Sequence, residues 1–168
     1  METVLENILT RYYKDEMISF MDSHPEYFEE AIELAISNKQ PYSWRAAGLL
    51  WSCIEENDRR IQGNIKKIIS VIPAKNDGHQ RELLKILLRM EVNEEYEGLL
   101  FNVCMTIWET INKKPSVRFI ALKTIFKIAK RYPDLSNEIT FLTQNQYLDS
   151  LSPGVRRSVS KMKKEFAL

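Results

Sequence analysis

The side chains in this chain that could do chemistry are few and scattered. Two histidines, His24 and His79, and two cysteines, Cys53 and Cys104, are the candidates for metal binding, proton transfer or nucleophilic attack. None stands at ligand spacing from another: there is no Cys-x-x-Cys pair, no His-Glu-x-x-His helix, no glycine-rich phosphate loop and no nucleophile elbow. His24 belongs to the Ser23-His24-Pro25 turn, where a lone histidine reads as a capping or surface group rather than a ligand. Both cysteines fall within apolar helical stripes and read as buried structural thiols. The sequence therefore predicts no metal, no cofactor and no catalytic residue. Two other groups remain. Trp44 and Trp51 lie seven residues apart, on nearly one face of a helix, and could stack a base or another aromatic ligand, although packing between helices is the favoured reading. Basic residues crowd the last third of the chain: Lys113, Lys114, Lys123, Lys127, Lys130 and Arg131, then Arg156, Arg157, Lys161, Lys163 and Lys164. Such a patch suits phosphates, and is more often simply a solvated face.

The elements that carry these groups are helices with a recurring opening. An arginine returns at the second or third helical position in Ser-Trp-Arg45, His-Gln-Arg81, Ser-Val-Arg118 and Gly-Val-Arg156, at intervals of 36, 37 and 38 residues. Two helices and two turns need about 35 to 45 residues, so this period predicts stacked helical pairs. Three residues after each arginine come Gly48, Leu84, Ala121 and Val159, and six after come Trp51, Leu87, Thr124 and Met162, so both positions face inward. At about 100° per residue, Lys127, Lys130 and Arg131 fall at about 40°, 340° and 80° from Lys123, a single basic stripe. Arg118 falls at about 220°, among Ala121, Ile125 and Ala129. The four arginines are accordingly predicted to form a buried structural ladder, with their donors placed on helix ends or a neighbouring carboxylate.

The segment Pro115-Ser116-Val117-Arg118-Phe119-Ile120-Ala121-Leu122 resembles the proline, Val-Arg and Ala-Leu run that opens the first helix of a HEAT repeat. The resemblance to HEAT and armadillo-like repeats covers roughly residues 41 to 168 and departs at Gln80 and Glu82, which replace apolar or small residues around Arg81. It implies an all-α fold, a right-handed α-α superhelix of stacked antiparallel helix pairs with about seven to nine helices, and no particular chemistry. One domain over 1–168 is expected, with repeats at about 3–40, 41–73, 77–112 and 115–150 and a terminal capping helix at 153–167.

Along the chain, apolar spacing predicts a first helix over 3–21, and Pro25 opens a second over about 26–38. Pro41 breaks the chain before Ser43 caps a helix running to about Glu56, and Asn57-Asp58 starts the next, which ends at Pro73. Further helices follow at 77–90, 93–111, 115–131, 136–149 and 153–167. The helix over 93–111 carries Trp108 and Ile111 in its buried stripe. The loop from Ser70 to Asn76 faintly resembles the Ser-Ser-x-Met-Pro-x-Lys-x-Asn loop of the adenylosuccinate lyase and fumarase superfamily. It lacks the second serine and the flanking glycine and reads as a turn between helices.

A chain of 168 residues with five glycines, six prolines and 44% hydrophobic residues fits one folded, mostly helical domain. No apolar run approaches the ~20 residues that span a bilayer, and the acidic start from Met1 to Glu6 lacks the features of a signal peptide, so a cytoplasmic location is expected. The net charge of +1 divides into −7 over 1–57, zero over 58–112 and +8 over 113–168. A solenoid keeps sequence order in space, which predicts an electrical dipole along its length and weak head-to-tail self-association. The function expected is a non-catalytic scaffold whose partner is another protein, docked on second-helix positions near Lys66, Lys67, Glu94, Glu95 and Glu97, with Gln144 and Gln146. The alternative is nucleic-acid binding. DNA alkylation-repeat glycosylases are HEAT-like solenoids with a basic groove lined by tryptophan, aspartate and arginine, and the resemblance in fold directs attention to the basic third, although no lesion-excising residue carries over.

Overall fold

The computed structural model describes residues 1–167. Among them are twelve α-helices, three short 3-10 turns and no strand: α1 (Val4–Arg11), α2 (Lys14–Ser23), α3 (Phe28–Ile36), α4 (Tyr42–Cys53), α5 (Arg59–Gln62), α6 (Ile65–Val71), α7 (Asp77–Leu88), α8 (Glu94–Glu109), α9 (Pro115–Ala129), α10 (Ser136–Leu142), α11 (Asn145–Leu148) and α12 (Pro153–Ala167). The count exceeds the seven to nine expected because three of the anticipated helices are each broken in two. Tyr12 and Tyr13 both take extended backbone, and Glu16 folds back onto the Tyr13 N–H to start α2 afresh. Gly63 and Asn64, poor helix formers, separate α5 from α6. Thr143 ends α10, its hydroxyl donating to the Ile139 carbonyl at 2.8 Å, a local alternative to helix continuation.

The chain forms two compact units, Met1–Val92 and Asn93–Leu168. In the first, α4 is the central helix, packed by α1, α2, α3 and α7. Its Ala46 and Ala47 are fully buried, and their small side chains let α3 approach with Ala31, Ile32 and Ala35. Isoleucines from α5 and α6 and leucines from α7 complete the core. Burial of each such side chain contributes about 1.5–3 kcal/mol.

Both ends of α4 are tied to α7 by polar contacts that the sequence did not advertise. At the start, buried His79 donates Nε2–H to the Ala35 carbonyl at 2.7 Å and accepts at Nδ1 from the Gln40 amide at 3.1 Å. Gln40 Oε1 in turn accepts the Trp44 N–H at 3.2 Å, which fixes the amide orientation and hence the neutral histidine tautomer. Lys75 Nζ donates to the Ser37 carbonyl at 2.6 Å. Ser43 is not the cap expected: α4 begins at Tyr42, and the buried Ser43 hydroxyl shares a 2.8 Å bond with Ser37. At the far end Arg89 donates to the Trp51 and Ile54 carbonyls at 2.9 and 3.0 Å, and the Asn57 N–H donates to the Arg89 carbonyl at 2.7 Å. Ile54 takes extended backbone (φ −83°, ψ 152°), so α4 stops at Cys53 rather than near Glu56, and Asn57 beyond it has a φ of 52°, a left-handed conformation that asparagine tolerates.

The second unit is built on α8 and α9. Leu100, Cys104, Ile107 and Trp108 of α8 bury against Val117, Ala121, Leu122 and Ile125 of α9. Ile111 lies beyond the end of α8 and is 53% exposed, which removes it from the predicted stripe. The last helix, α12, packs on α9 through its one buried side chain, Val159, and through Phe166, whose ring meets Phe126 edge-on at 5.7 Å.

Candidate functional site

The four recurring arginines do not share one environment. Arg118 on α9 is wholly buried, with Nε donating to the Trp108 carbonyl at 2.9 Å, one terminal nitrogen to the Tyr147 carbonyl at 2.8 Å and the other to Ser150 Oγ at 3.0 Å. Its guanidinium also lies 4.5 Å from the Trp108 ring centre. Burial without a carboxylate partner lowers its pKa. The residue therefore caps the C-terminal ends of α8 and α11, whose last carbonyls have no partner inside their own helices. The other three are not buried as the ladder prediction has them, although Arg45 keeps the expected helix-end contact. Arg45 is exposed, though it donates to the Leu9 carbonyl of α1 at 3.0 Å. Arg81 is half-buried and pairs with its sequence neighbour Glu82 at 3.0 Å. Arg156 is exposed on α12, a terminal helix that buries only Val159. Arg89, outside the 36-to-38-residue spacing, does for α4 what Arg118 does for α8. Periodicity found the sterically repeated position, whereas capping depends on which helix end lies within reach.

A depression of the first unit lies on the side of α4 that α3 does not cover, between α2 and α7. It encloses about 390 Å³. Trp44, Gly48 and Trp51 share this face by helical spacing, and the absent side chain at Gly48 leaves the gap between the two indoles. Trp44 is 40% exposed and Trp51 half-buried, so the tryptophan pair walls an open groove instead of filling a closed interface as predicted. Cations surround it. Lys85 lies 3.9 Å from the Trp51 ring centre, with Arg89 at 5.6 Å and Lys14 at 5.9 Å, while Arg45 lies 5.5 Å from the Trp44 ring. The carboxylate at the floor, Glu82, is buried and neutralised by Arg81 at 3.0 Å and Lys85 at 3.2 Å.

In the second unit Lys114, Lys123, Lys127, Lys130 and Arg131 are exposed and Lys113 is half-buried. On α12, Arg157, Lys161, Lys163 and Lys164 are exposed as well. Arg131 pairs with Glu97 at 3.2 Å, and Lys123 lies 5.4 Å from the Phe119 ring centre. Of the proposed second-helix docking positions, Lys66, Lys67, Glu94, Glu95, Gln144 and Gln146 are exposed. Glu97 is not: it is buried and accepts from Tyr132 Oη at 2.9 Å. Cys104 is buried and its thiol pushed up to about 12, while Cys53 is half-buried with its thiol pushed up to about 11, by desolvation first and then by the Asp22 charge. Neither is poised as a nucleophile at neutral pH. His24 meets Glu26 at 3.1 Å and rests on the Phe20 ring at 4.7 Å, a half-exposed turn residue. The Ser70–Asn76 stretch is the end of α6, a 3-10 turn and the cap of α7, where Asn76 accepts the His79 N–H at 3.0 Å. Among the described residues no group of three or more histidine, cysteine, aspartate or glutamate side chains is placed to hold a metal ion, and no helix is long and apolar enough to cross a membrane.

Compared with known proteins, a HEAT repeat domain model matches residues 1–166. No curated protein matches the chain. No solved structure matches it.

Proposed function

This chain belongs to the HEAT repeat family, and we propose that it is a non-catalytic scaffold that docks another protein. Family membership supports a helical-repeat scaffold, and repeat scaffolds of this kind present broad surfaces made from successive helices. The observation that carries the reading is the aromatic groove on α4: an open surface walled by two tryptophans and rimmed by charge. The titrating groups point the same way, since His79 is engaged at both ring nitrogens and both thiols are raised well above neutral pH. A cytoplasmic location belongs to this reading, in keeping with two thiols that remain free.

The test is a fluorescence-anisotropy titration of a labelled duplex and a labelled single strand against the full chain at low and at physiological salt. A docking scaffold gives no binding that survives ~150 mM salt, because exposed lysines alone supply only the screened, counterion-release contribution. Tight binding at that salt, lost in Lys123→Glu or Lys127→Glu, would replace this reading with nucleic-acid recognition through the exposed basic residues of α9 and α12.

A further inference from the structure

We propose that the α4 groove receives an acidic peptide segment with one large apolar side chain, seated over Gly48 between Trp44 and Trp51. The inference rests on the docking-scaffold reading and gives it a site and a partner chemistry. Three observations carry it. The groove is walled by two indoles and vacated by a glycine above the neutralised Glu82 carboxylate, with a volume of about 390 Å³, at the lower end of what a recognition pocket encloses. Its two outer cations, Lys14 and Arg45, have no carboxylate partner among the described residues, although residues 1–92 carry more acidic than basic groups (15 against 12). The floor carboxylate, Glu82, is buried and bound by two cations of its own, so it offers no competing site for a basic ligand. A ligand with carboxylates at its edges and an apolar centre complements that arrangement of charge.

A stacked nucleobase fits it less well. Lys85 already lies 3.9 Å from the Trp51 ring centre, and a base on that face would have to displace it from both the indole and Glu82. The arrangement favours a side chain inserted between the two indoles above the glycine, with Lys14 and Arg45 meeting acids that flank it. Gly48 is then a groove residue: a Cβ there meets Glu82 at an ordinary 3.6 Å, so the position tolerates a methyl, while a bulky side chain would occupy the groove.

The test uses two labelled dodecapeptides that share a central leucine, one flanked by glutamate and aspartate and one by lysine, titrated against the full chain. The acidic peptide should bind about tenfold or more tightly than the basic one, and Lys14→Glu and Gly48→Phe should each weaken it about tenfold. Lys161→Glu, an equal charge change on α12, should leave it unaffected, and circular-dichroism melting of each variant confirms that the fold is kept. Equal affinity for the two peptides, or an acidic preference that survives both groove variants, overturns the proposal. So does tighter binding of a labelled oligothymidylate that Gly48→Phe abolishes, since the groove would then belong to a single strand. Failure here with nucleic acid still unbound at physiological salt removes the groove assignment alone, whereas salt-resistant nucleic-acid binding outside the groove removes the scaffold reading.

Discussion

Replacing Arg118 with alanine should destabilise the protein by about 3–4 kcal/mol, and the magnitude follows from what its guanidinium touches. Two of its three bonds end on main-chain carbonyls, Trp108 at 2.9 Å and Tyr147 at 2.8 Å, at helix ends where no backbone donor is available. Leaving a buried carbonyl unpaired costs about 1–3 kcal/mol. The bond to Ser150 and the stacking on Trp108 add to the loss, and the relief of a desolvated charge, visible in the lowered arginine pKa, subtracts from it. Tm should fall by roughly 6–16 °C, at about 2–4 °C per kcal/mol for a chain of this length. Urea and thermal unfolding followed by circular dichroism measure it. Arg118→Met keeps the stem but no donor and should lose nearly as much as alanine. Arg118→Lys offers one point donor to three acceptors and should fall between. Arg156→Ala, on exposed α12 surface, should stay within about 0.5 kcal/mol of wild type. A loss below about 1 kcal/mol for Arg118→Ala, or recovery of stability by methionine, would refute the capping argument.

Three other outcomes follow from particular contacts. Gly48→Ala should raise stability by about 0.5–1 kcal/mol, since the residue is inside α4 and an added Cβ meets Glu82 at an ordinary 3.6 Å; a chemical-denaturation midpoint that falls would contradict it. Asp58, whose carboxyl is held at about 2 first by the Arg60 side chain and then by the Glu55 and Arg60 N–H groups, should contribute about 1–2 kcal/mol after allowance for the 45% exposure of Arg60. A lowered folded pKa favours the charged form in the native state, so this contribution is complete above about pH 4 and disappears as pH falls toward 2; the difference between wild type and Asp58→Asn should shrink over that window. His79 has a pKa lowered by burial, opposed by its bond to the Ala35 carbonyl and reinforced by the nearby Lys75 charge. The unfolded chain therefore binds the proton first, and stability should be full above about pH 6.5 and decline as pH drops below it, a slope that His79→Asn should abolish in urea midpoints taken between pH 7.5 and 5.

The helical architecture was legible because apolar spacing and proline placement are local properties. Pro115 does open α9, Trp108 is core, and Arg118 is buried at the angle its neighbours dictated. Less legible were the breaks within helices, where two tyrosines, a Gly-Asn pair and a threonine decide against continuation by small margins. An exposed tryptophan pair is the less favoured reading of the sequence because Trp44 and Trp51 have the spacing of a packing stripe, and only the positions of α2 and α7 determine whether that stripe is covered. The arginine recurrence misled in part for a related reason. A shared place in the sequence period sets which way the side chain leaves its helix, but Arg45, Arg81 and Arg156 meet different surroundings there, and Arg89 reaches the end of α4 from outside the period. His79 and Lys75 carried no sequence signal, since their acceptors, Ala35 and Ser37, are main-chain carbonyls about 40 residues away.

The docking claim is tested most directly by capture of partners on the immobilised full chain from its source cells, with and without nuclease treatment, followed by quantitative mass spectrometry. The account predicts a protein recovered in near-stoichiometric amount, unchanged by nuclease and diminished by Gly48→Phe. Recovery that collapses on nuclease treatment, or enrichment of nucleic acid with no protein bound directly, would contradict it.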